Sequence, residues 1–258
     1  MSSSNSKIGK TVLAMLIIVG GIYTCTSDPE PIFDENYGVI WGYTHVENSG
    51  TEVQMYLDES SGAGFESKQS YGSGFFTMRI KLPANDSGGV VIAYYLTSPG
   101  SSDHDELDFE FLGNRAGKPY TVQTNVFANG DDNIPIRYFR NNVNIGVNYP
   151  SKPMKVEASI WDGSGWATDG GQTKIIWSDA PFRAYFEGFN INGCPIDSNS
   201  ENNEPCISSD YWWNQQRYWE LNPTESRAYQ IVKHNFVIYD YCTDTQRYPV
   251  PPPECSQQ

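Results

Sequence analysis

The feature that most constrains the fold of this 258-residue chain is the stretch at residues 104–111, which reads His-Asp-Glu-Leu-Asp-Phe-Glu-Phe. Acids and large apolar residues alternate along it, and this period of two is typical of a half-buried strand. The pattern predicts that the apolar side chains enter a core and that the acids project together from the opposite face: Glu106, Asp108 and Glu110. Three like charges on one face repel one another, so stability does not explain their presence.

A row of carboxyl groups has the composition that glycoside hydrolysis with retention requires: a nucleophile, an acid/base, and a carboxyl that tunes them. Along a strand, the Cα atoms of Glu106 and Glu110 are about 13 Å apart. Their side chains can lean together toward the roughly 5–5.5 Å carboxyl separation of retaining enzymes. Two other interpretations of the spacing are an edge strand whose acids are solvated and a cation site.

Composition favours an all-β fold. The chain has 23 glycines, 16 prolines and 14% aromatic residues, and it lacks long heptad-like runs, which indicates many short strands and turns. Its length suits one large domain, or one domain with an appendage.

The net charge of −14 argues against nucleic acid and anionic membranes as partners, but it is compatible with a neutral polysaccharide.

Short apolar runs separated by turn residues fill the region from about residue 33 to residue 149. The clearest strands are predicted at residues 75–80, 90–96 and 120–127, and loops at residues 61–64, 85–89 and 129–133. This arrangement predicts two sheets packed face to face. After Cys194 the pattern changes, with helices predicted at 208–219 and 224–233 and a strand at 236–242. Pro223 and Thr224 suit the start of the second helix.

The N-terminus has the pattern of a signal peptide. Lys7 and Lys10 precede an apolar run at residues 12–22, which is too short to span a bilayer. Cleavage is predicted near residues 23–27, so residues 1–26 are assigned to the signal peptide. An uncleaved anchor is the alternative interpretation.

Cysteine usage indicates an oxidising compartment. Cys25 lies in the predicted cleavage region, and the remaining four cysteines occupy the last quarter of the chain: Cys194, Cys206, Cys242 and Cys255. A clustered even set predicts disulfides, with three possible pairings. A zinc site is disfavoured because the chain has no C-x-x-C pair and only His234 lies near these cysteines.

The acidic stretch and several other segments resemble the plant xyloglucan endotransglucosylase/hydrolases of glycoside hydrolase family 16. The other matching segments are residues 33–37, 61–67, 71–75, 123–127, 166–168, 177–178, 180–182 and 239–244. The resemblance implies a β-jelly-roll sandwich at residues 27–190, with substrate in a groove across one concave sheet. It implies a C-terminal extension at 191–258 with some α/β structure, which lengthens the groove on the acceptor side. It also implies the pairings Cys194–Cys206 and Cys242–Cys255.

The resemblance assigns a role to each acid. Glu106 is the nucleophile that forms a glycosyl-enzyme, and Glu110 is the acid/base. Asp108 is the helper, and its charge is expected to raise the pKa of Glu110. The fragment passes to a second xyloglucan chain, to an oligosaccharide or to water. No metal or cofactor is expected, and the implied protein is a secreted monomer of the cell wall and apoplast.

Sugar contacts are also implied by the resemblance: Glu110, Gln123, Thr124, Asn125, Asn133, Gly165, Trp166, Gly170 and Arg247. Gln123 and Asn125 share a strand face, although a polar outer face would also account for them. Trp166 suits stacking on a sugar, with a core position as the alternative. Gly165 stands where the family usually has Asp, and Arg247 is displaced by two residues from the family's arginine position.

Two further departures from the family concern glycosylation and length. Asn85-Asp-Ser87 is a glycosylation sequon in a predicted loop, whereas Asn114-Arg-Ala116, where the family usually has a sequon, is not one. Between Asn133 and Ile134 the family carries about thirty more residues, enough for two or three strands. Their loss is expected to expose sheet edges and to uncover core.

The missing segment leaves several alternatives open. It can reflect a mis-joined exon, a tolerated truncation or an inactive descendant of the family. The matching functional alternatives are a catalytically impaired protein that still binds xyloglucan and a product that never folds stably. A further alternative is a β-glucanase that acts on mixed-linkage glucan, which the C-terminal extension disfavours.

Overall fold

Alternating apolar residues form short antiparallel strands in a computed structural model that describes residues 31–100, 104–128, 131–135, 141–200 and 203–257. The predicted signal peptide and Cys25 lie outside the described residues. In chain order the elements are α1 (Phe33–Asn36), β1 (Tyr37–Gly42), β2 (Thr44–Glu47), β3 (Glu52–Leu57), β4 (Ala63–Ser67), β5 (Ser70–Phe76), β6 (Arg79–Lys81), β7 (Val90–Thr97), β8 (Glu106–Leu112), β9 (Thr121–Ala128), β10 (Asp131–Pro135), β11 (Lys155–Asp162), β12 (Phe182–Glu187), β13 (Ile191–Ile196) and α2 (Pro223–Phe236).

The described strands form two main layers. The larger sheet has the order β1-β4-β11-β7-β8-β9-β10, the second sheet has the order β2-β3-β12-β6, and β13 pairs with β5 in a small third sheet. Neighbouring strands are antiparallel, and sequence neighbours are often separated in space, as in a jelly roll. The fold class predicted from the sequence is therefore confirmed.

The core lies between the two main sheets. Burial alternates along β3 and β12, which pair with each other, so every second side chain of each strand faces the larger sheet. An aromatic cluster closes one end of this core, where Phe33 contacts the rings of Phe65 and Phe189 at centroid distances of 5.3 Å. Among the described residues, no helix combines the length and the apolar character needed to cross a bilayer.

The strand predictions at residues 90–96 and 120–127 are confirmed as β7 and β9. The single strand predicted at 75–80 is wrong, because β5 pairs with β13 while β6 pairs with β12 in another sheet. The loop predicted at 61–64 is only partly right, since β4 begins at Ala63. Likewise, residues 131–133 of the loop predicted at 129–133 belong to β10.

The C-terminal segment differs from its prediction in three places. The helix predicted at 224–233 is confirmed as α2, but its N-cap is Asn222, which forms a full capping box with Glu225. Residues 208–219 form short 3₁₀ turns instead of a helix. The strand predicted at 236–242 is wrong, since α2 ends at Phe236 and Asp240 caps a 3₁₀ turn at Tyr241–Thr243.

Both disulfide pairings implied by the resemblance are present. Cys194 is bonded to Cys206 with a Cα–Cα distance of 5.4 Å, and Cys242 is bonded to Cys255 with a Cα–Cα distance of 5.5 Å. The first bond joins β13 to the turn at Glu204–Ile207. The second joins the ends of a short loop that follows α2.

The two layers are unequal in width, and the inner face of the larger sheet is incompletely covered. Val122 on β9 lies directly opposite Phe111 on β8, so both side chains point toward the second sheet. Phe111 is 4% exposed, whereas Val122 is 49% exposed. Leu107 and Phe109 on β8 are also only partly buried. In the part of the chain that the structure describes, the core face beside β8 and β9 is therefore incompletely covered.

The unequal cover predicts unequal costs at this pair of positions. Phe111→Ala is expected to lower the free energy of unfolding by about 3–5 kcal/mol, because it leaves a cavity in the buried core. Val122→Ala is expected to lower it by less than about 1 kcal/mol, because half of that side chain already contacts water. Urea-induced unfolding followed by tryptophan fluorescence measures both. Similar losses at the two positions would contradict the uneven cover.

Candidate active site

The three acids of the alternating stretch lie on one face of β8, near the middle of the larger sheet. The strand register places Asp108 between Tyr95 on β7 and Asn125 on β9, and it places Glu110 between Ala93 and Gln123. Residues that are directly paired on antiparallel strands project to the same side. The polar side chains of three adjacent strands therefore converge on this face. The sequence predicts the shared face of the acids but not the position of Tyr95.

Two amide side chains of β9 are directed at Glu110. The Nε2 of Gln123 and the Nδ2 of Asn125 donate to the Oε2 of Glu110 at 3.4 and 3.5 Å, which are long hydrogen bonds. Thr124 lies opposite Phe109 and so belongs to the other face of the sheet. Its side chain therefore does not join the acidic face.

Burial and crowding keep Asp108 in its protonated form. Asp108 is 9% exposed, and burial is the largest cause that raises the pKa of its carboxyl, followed by the charges of Glu106 and Glu110. Its Oδ1 is buried and has no hydrogen-bond partner among the described residues. A protonated Asp108 can donate to a neighbouring carboxylate without adding a third negative charge.

The pKa of Glu110 is also raised, which suits a group that must begin a reaction with a proton. Burial is the main cause, and the charge of Glu106 is the second. The direction agrees with the sequence-based prediction, but the predicted cause, the charge of Asp108, is wrong. A carboxyl that holds its own proton exerts little charge on its neighbour.

The start of β8 is held by contacts that the sequence did not reveal. Asp105 is 1% exposed, and its Oδ2 accepts the backbone N–H groups of Ser151 and Lys152 at 2.6 and 2.8 Å. The neighbouring His104 places its Nε2 3.5 Å from the Oε2 of Glu106. These contacts tie Glu106 to a loop more than forty residues away in the sequence.

A second pair of polar groups, also missed from the sequence, lies beside the acids. The hydroxyl of Tyr95 donates to the Oε2 of Glu157 on β11 at 2.7 Å. Burial is the largest cause that raises the pKa of both groups. On the far side of Glu157, Lys155 forms an ion pair with Glu66 of β4. Period-two alternation along β7 and β11 is the signal that could have placed these side chains on the acidic face.

The loop at residues 163–171 lies close to the end of β8. Thr168 is buried there, and its hydroxyl donates to the backbone oxygen of Gly113 at 2.6 Å. Trp166 is 38% exposed and packs at a centroid distance of 6.0 Å against Trp161, which shares a strand face with Glu157. A methyl group added to Gly165 or Gly170 would meet nothing within 4 Å, so the space beside both is open.

Two of the implied sugar contacts are not brought to this face by any described contact. Asn133 belongs to β10, but its side chain lies outside the described part of the chain. The guanidinium of Arg247 lies over the ring of Tyr248, and its backbone N–H donates to Asp244. These contacts of Arg247 remain within the C-terminal segment.

The cation-site interpretation gains no support from the geometry. In the part of the chain that the structure describes, no group of three or more His, Cys, Asp or Glu side chains is arranged to hold a metal ion. The acids of β8 instead share protons and hydrogen bonds with one another and with amides. Such an arrangement suits proton transfer and nucleophilic attack.

Family models match most of the chain. Residues 33–133 and 132–179 match the model for glycosyl hydrolases family 16, and residues 207–255 match the model for the xyloglucan endo-transglycosylase C-terminus. The first match consists of two pieces that meet at residues 132–133. This junction is where the sequence predicts a missing segment.

Two curated proteins from Arabidopsis thaliana are similar over most of their length. Xyloglucan endotransglucosylase/hydrolase protein 3 and protein 2 are each 49% identical to this chain, and each alignment covers 86% of this chain and 88% of the relative. Among solved structures, a β-glucanase of Bacillus licheniformis is 19% identical over 59% of this chain and 89% of its own, with a TM-score of 0.40. That score is too low to add to the sequence matches.

The raised pKa of Asp108 makes a prediction about stability. Because the folded protein holds this proton more tightly than the unfolded chain does, the group favours folding at low pH and penalises it as the pH rises above about 4. Asp108→Asn removes the penalty, so the variant is expected to be about 1–2 kcal/mol more stable than the parent near pH 7. The difference should disappear toward pH 4. Chemical denaturation at a series of pH values measures it, and a less stable variant at pH 7 would refute the protonated assignment.

Proposed function

The chain belongs to the xyloglucan endotransglucosylase/hydrolases of glycosyl hydrolase family 16, and from this membership and the acidic face of β8 we propose that it cleaves the β-1,4-glucan backbone of xyloglucan with retention of configuration. The released fragment passes to another xyloglucan end or to water. The row of Glu106, Asp108 and Glu110, flanked by amides on β9, carries this assignment.

In the first step Glu106 attacks the anomeric carbon, and a bond forms between that carbon and a carboxylate oxygen. The bond from the anomeric carbon to the glycosidic oxygen breaks, and protonated Glu110 gives its proton to that oxygen. The raised pKa of Glu110 supports this role because it keeps the group protonated above the usual carboxyl range. The product is a covalent glycosyl-enzyme.

In the second step Glu110, now a carboxylate, takes a proton from a sugar hydroxyl or from water. The acceptor oxygen bonds to the anomeric carbon and Glu106 leaves, so two inversions give net retention. Asp108 supports both steps in its protonated form, because it donates to Glu106 and avoids a third charge beside it.

The proposed sugar contacts divide into two groups. Gln123, Asn125 and Trp166 have positions in the structure that support the role. Four further contacts rest on the resemblance alone: Asn133, Gly165, Gly170 and Arg247. The implied contact of Thr124 is not proposed, because its side chain lies on the opposite face of β9.

We also propose that the protein is secreted to the cell wall and apoplast and works there as a monomer. Two disulfides support an oxidising compartment. Residues 1–26 would act as the signal peptide. Asn85, which is exposed in a loop before β7, would carry an N-linked glycan. The substrates would be a xyloglucan donor and a xyloglucan or oligosaccharide acceptor.

A transfer assay tests the proposed activity. Protein with both disulfides formed is mixed with xyloglucan and a labelled xyloglucan oligosaccharide, and label is expected to enter the polymer. Glu106→Gln is expected to lower the rate by about a thousand-fold or more, because the amide cannot act as the nucleophile. A folded parent protein that binds xyloglucan but transfers no label and does not shorten the polymer would instead indicate an impaired binding protein.

The role of Glu110 predicts a pH dependence. On xyloglucan, the rate is expected to fall as the pH rises through the raised pKa of Glu110, because only its protonated form can assist the leaving oxygen. An aryl glycoside of a xyloglucan oligosaccharide has a leaving group that needs little protonation. With this substrate, Glu110→Ala is expected to release phenol without that alkaline decline. An unchanged alkaline decline in the variant would exclude Glu110 as the acid.

A further inference from the structure

We propose that Trp41 is a sugar-stacking platform in a distal subsite of the substrate groove, reached from Glu110 along one row of the larger sheet. This inference deepens the proposed function and rests on it. The row follows the pairings of Glu110 with Ala93, Ala93 with Ser159, Ser159 with Gly64, and Gly64 with Trp41. At a strand spacing of about 4.8 Å, Gly64 lies about 14 Å from the backbone of Glu110.

A β-bulge turns Trp41 onto this face. Tyr37 and Val39 pair with Ser67 and Phe65, and all four positions belong to the core side of the sheet. Period-two alternation would therefore send Trp41 to the core side as well. The register shifts between Val39 and Trp41, so Trp41 pairs with Gly64 on the catalytic face. Bulges commonly redirect one side chain beside an active site.

Two glycines of the neighbouring chain segment support the indole. A methyl group at Gly64 would lie 2.4 Å from the Nε1 of Trp41, and one at Gly62 would lie 3.1 Å from its Cη2. The ring therefore packs directly against the backbone at these two positions. Trp41 nevertheless remains 40% exposed. A ring that rests on glycine and still faces solvent has the geometry of a stacking surface.

The row between Glu110 and Trp41 forms the floor of a trough. Its residues are small, and Ala93 and Ser159 are each only 6% exposed because taller side chains stand in the adjacent rows. The hydrogen-bonded pair of Tyr95 and Glu157 forms one wall, and Trp161 is on the other side. The trough crosses the strands and leads directly to Glu110, as a bound glucan chain must.

The chemistry of this end of the trough suits a neutral sugar. A glucosyl ring has apolar C–H faces, which pack well against the flat face of an indole at low entropic cost. One such contact is expected to change an affinity by about five-fold. Because Trp41 is distant from Glu110, only a chain of several sugar units can occupy both places.

Binding measurements in the inactive Glu106→Gln background test the platform. Affinities for xyloglucan oligosaccharides of increasing backbone length are measured by calorimetry for four further variants: Trp41→Leu, Trp41→Phe, Gly64→Ala and Val39→Ala. Gly64→Ala retains the indole but displaces it, and Trp41→Phe retains an aromatic ring. Val39→Ala is the matched control, since Val39 is also exposed on β1 but faces the other side. Thermal unfolding of each variant checks its fold.

Trp41→Leu and Gly64→Ala are expected to bind long oligosaccharides about five-fold more weakly and short ones as well as the parent does. Trp41→Phe should recover part of the loss, and Val39→Ala should show none. Affinity that is unchanged at every length, or reduced equally at every length, would overturn the subsite while leaving the proposed function intact. A folded Glu106→Gln parent that binds no xyloglucan oligosaccharide would overturn the proposed function and the subsite with it.

Discussion

The register of β8 between β7 and β9 is the constraint on which the site depends. Successive side chains of a strand face opposite sides, so a slip of one residue would bury the three acids and expose the apolar residues. The burial of Phe111 in the core makes that slip costly. The same pairings place the amides of β9 next to Glu110 and Tyr95 next to Asp108. Hydrophobic packing on one face of β8 thus fixes the chemistry on the other.

Burial then sets the protonation of two of the three acids. Asp108 and Glu110 both lie where the sheet removes their carboxyl groups from water, and this burial raises the pKa of both. At both positions burial raises the pKa more than any neighbouring charge does, so these two carboxyl groups retain their protons. No ion is required for this effect. The effect follows from how deeply each carboxyl is buried, which the spacing of the residues alone does not specify.

Period-two alternation predicted β8, because that strand has one face in the core and one outside it, whereas β7 and β9 were predicted as short runs rich in β-branched and aromatic residues. The family resemblance supplied the disulfide pairing and the roles of the acids. Features that depend on distant pairings were missed: the strand at 75–80 divides because its two ends join different sheets, and the bulge before Trp41 arises from its register with β4. The contact of Asp105 with the loop at Ser151 is equally non-local. Residues 236–242 are apolar enough for a strand, but no sheet edge pairs with them in the described part of the chain.

The incomplete cover beside Val122 has a consequence for how this molecule moves. A poorly covered part of the core lies directly beneath the strand pair that carries the acids and their amides. Regions with few buried contacts open at a lower free energy than the rest of a domain. Separation of β9 from β8 would withdraw Gln123 and Asn125 from Glu110 before the rest of the sandwich unfolded. We therefore expect loss of activity on heating to begin with this local opening, before global unfolding.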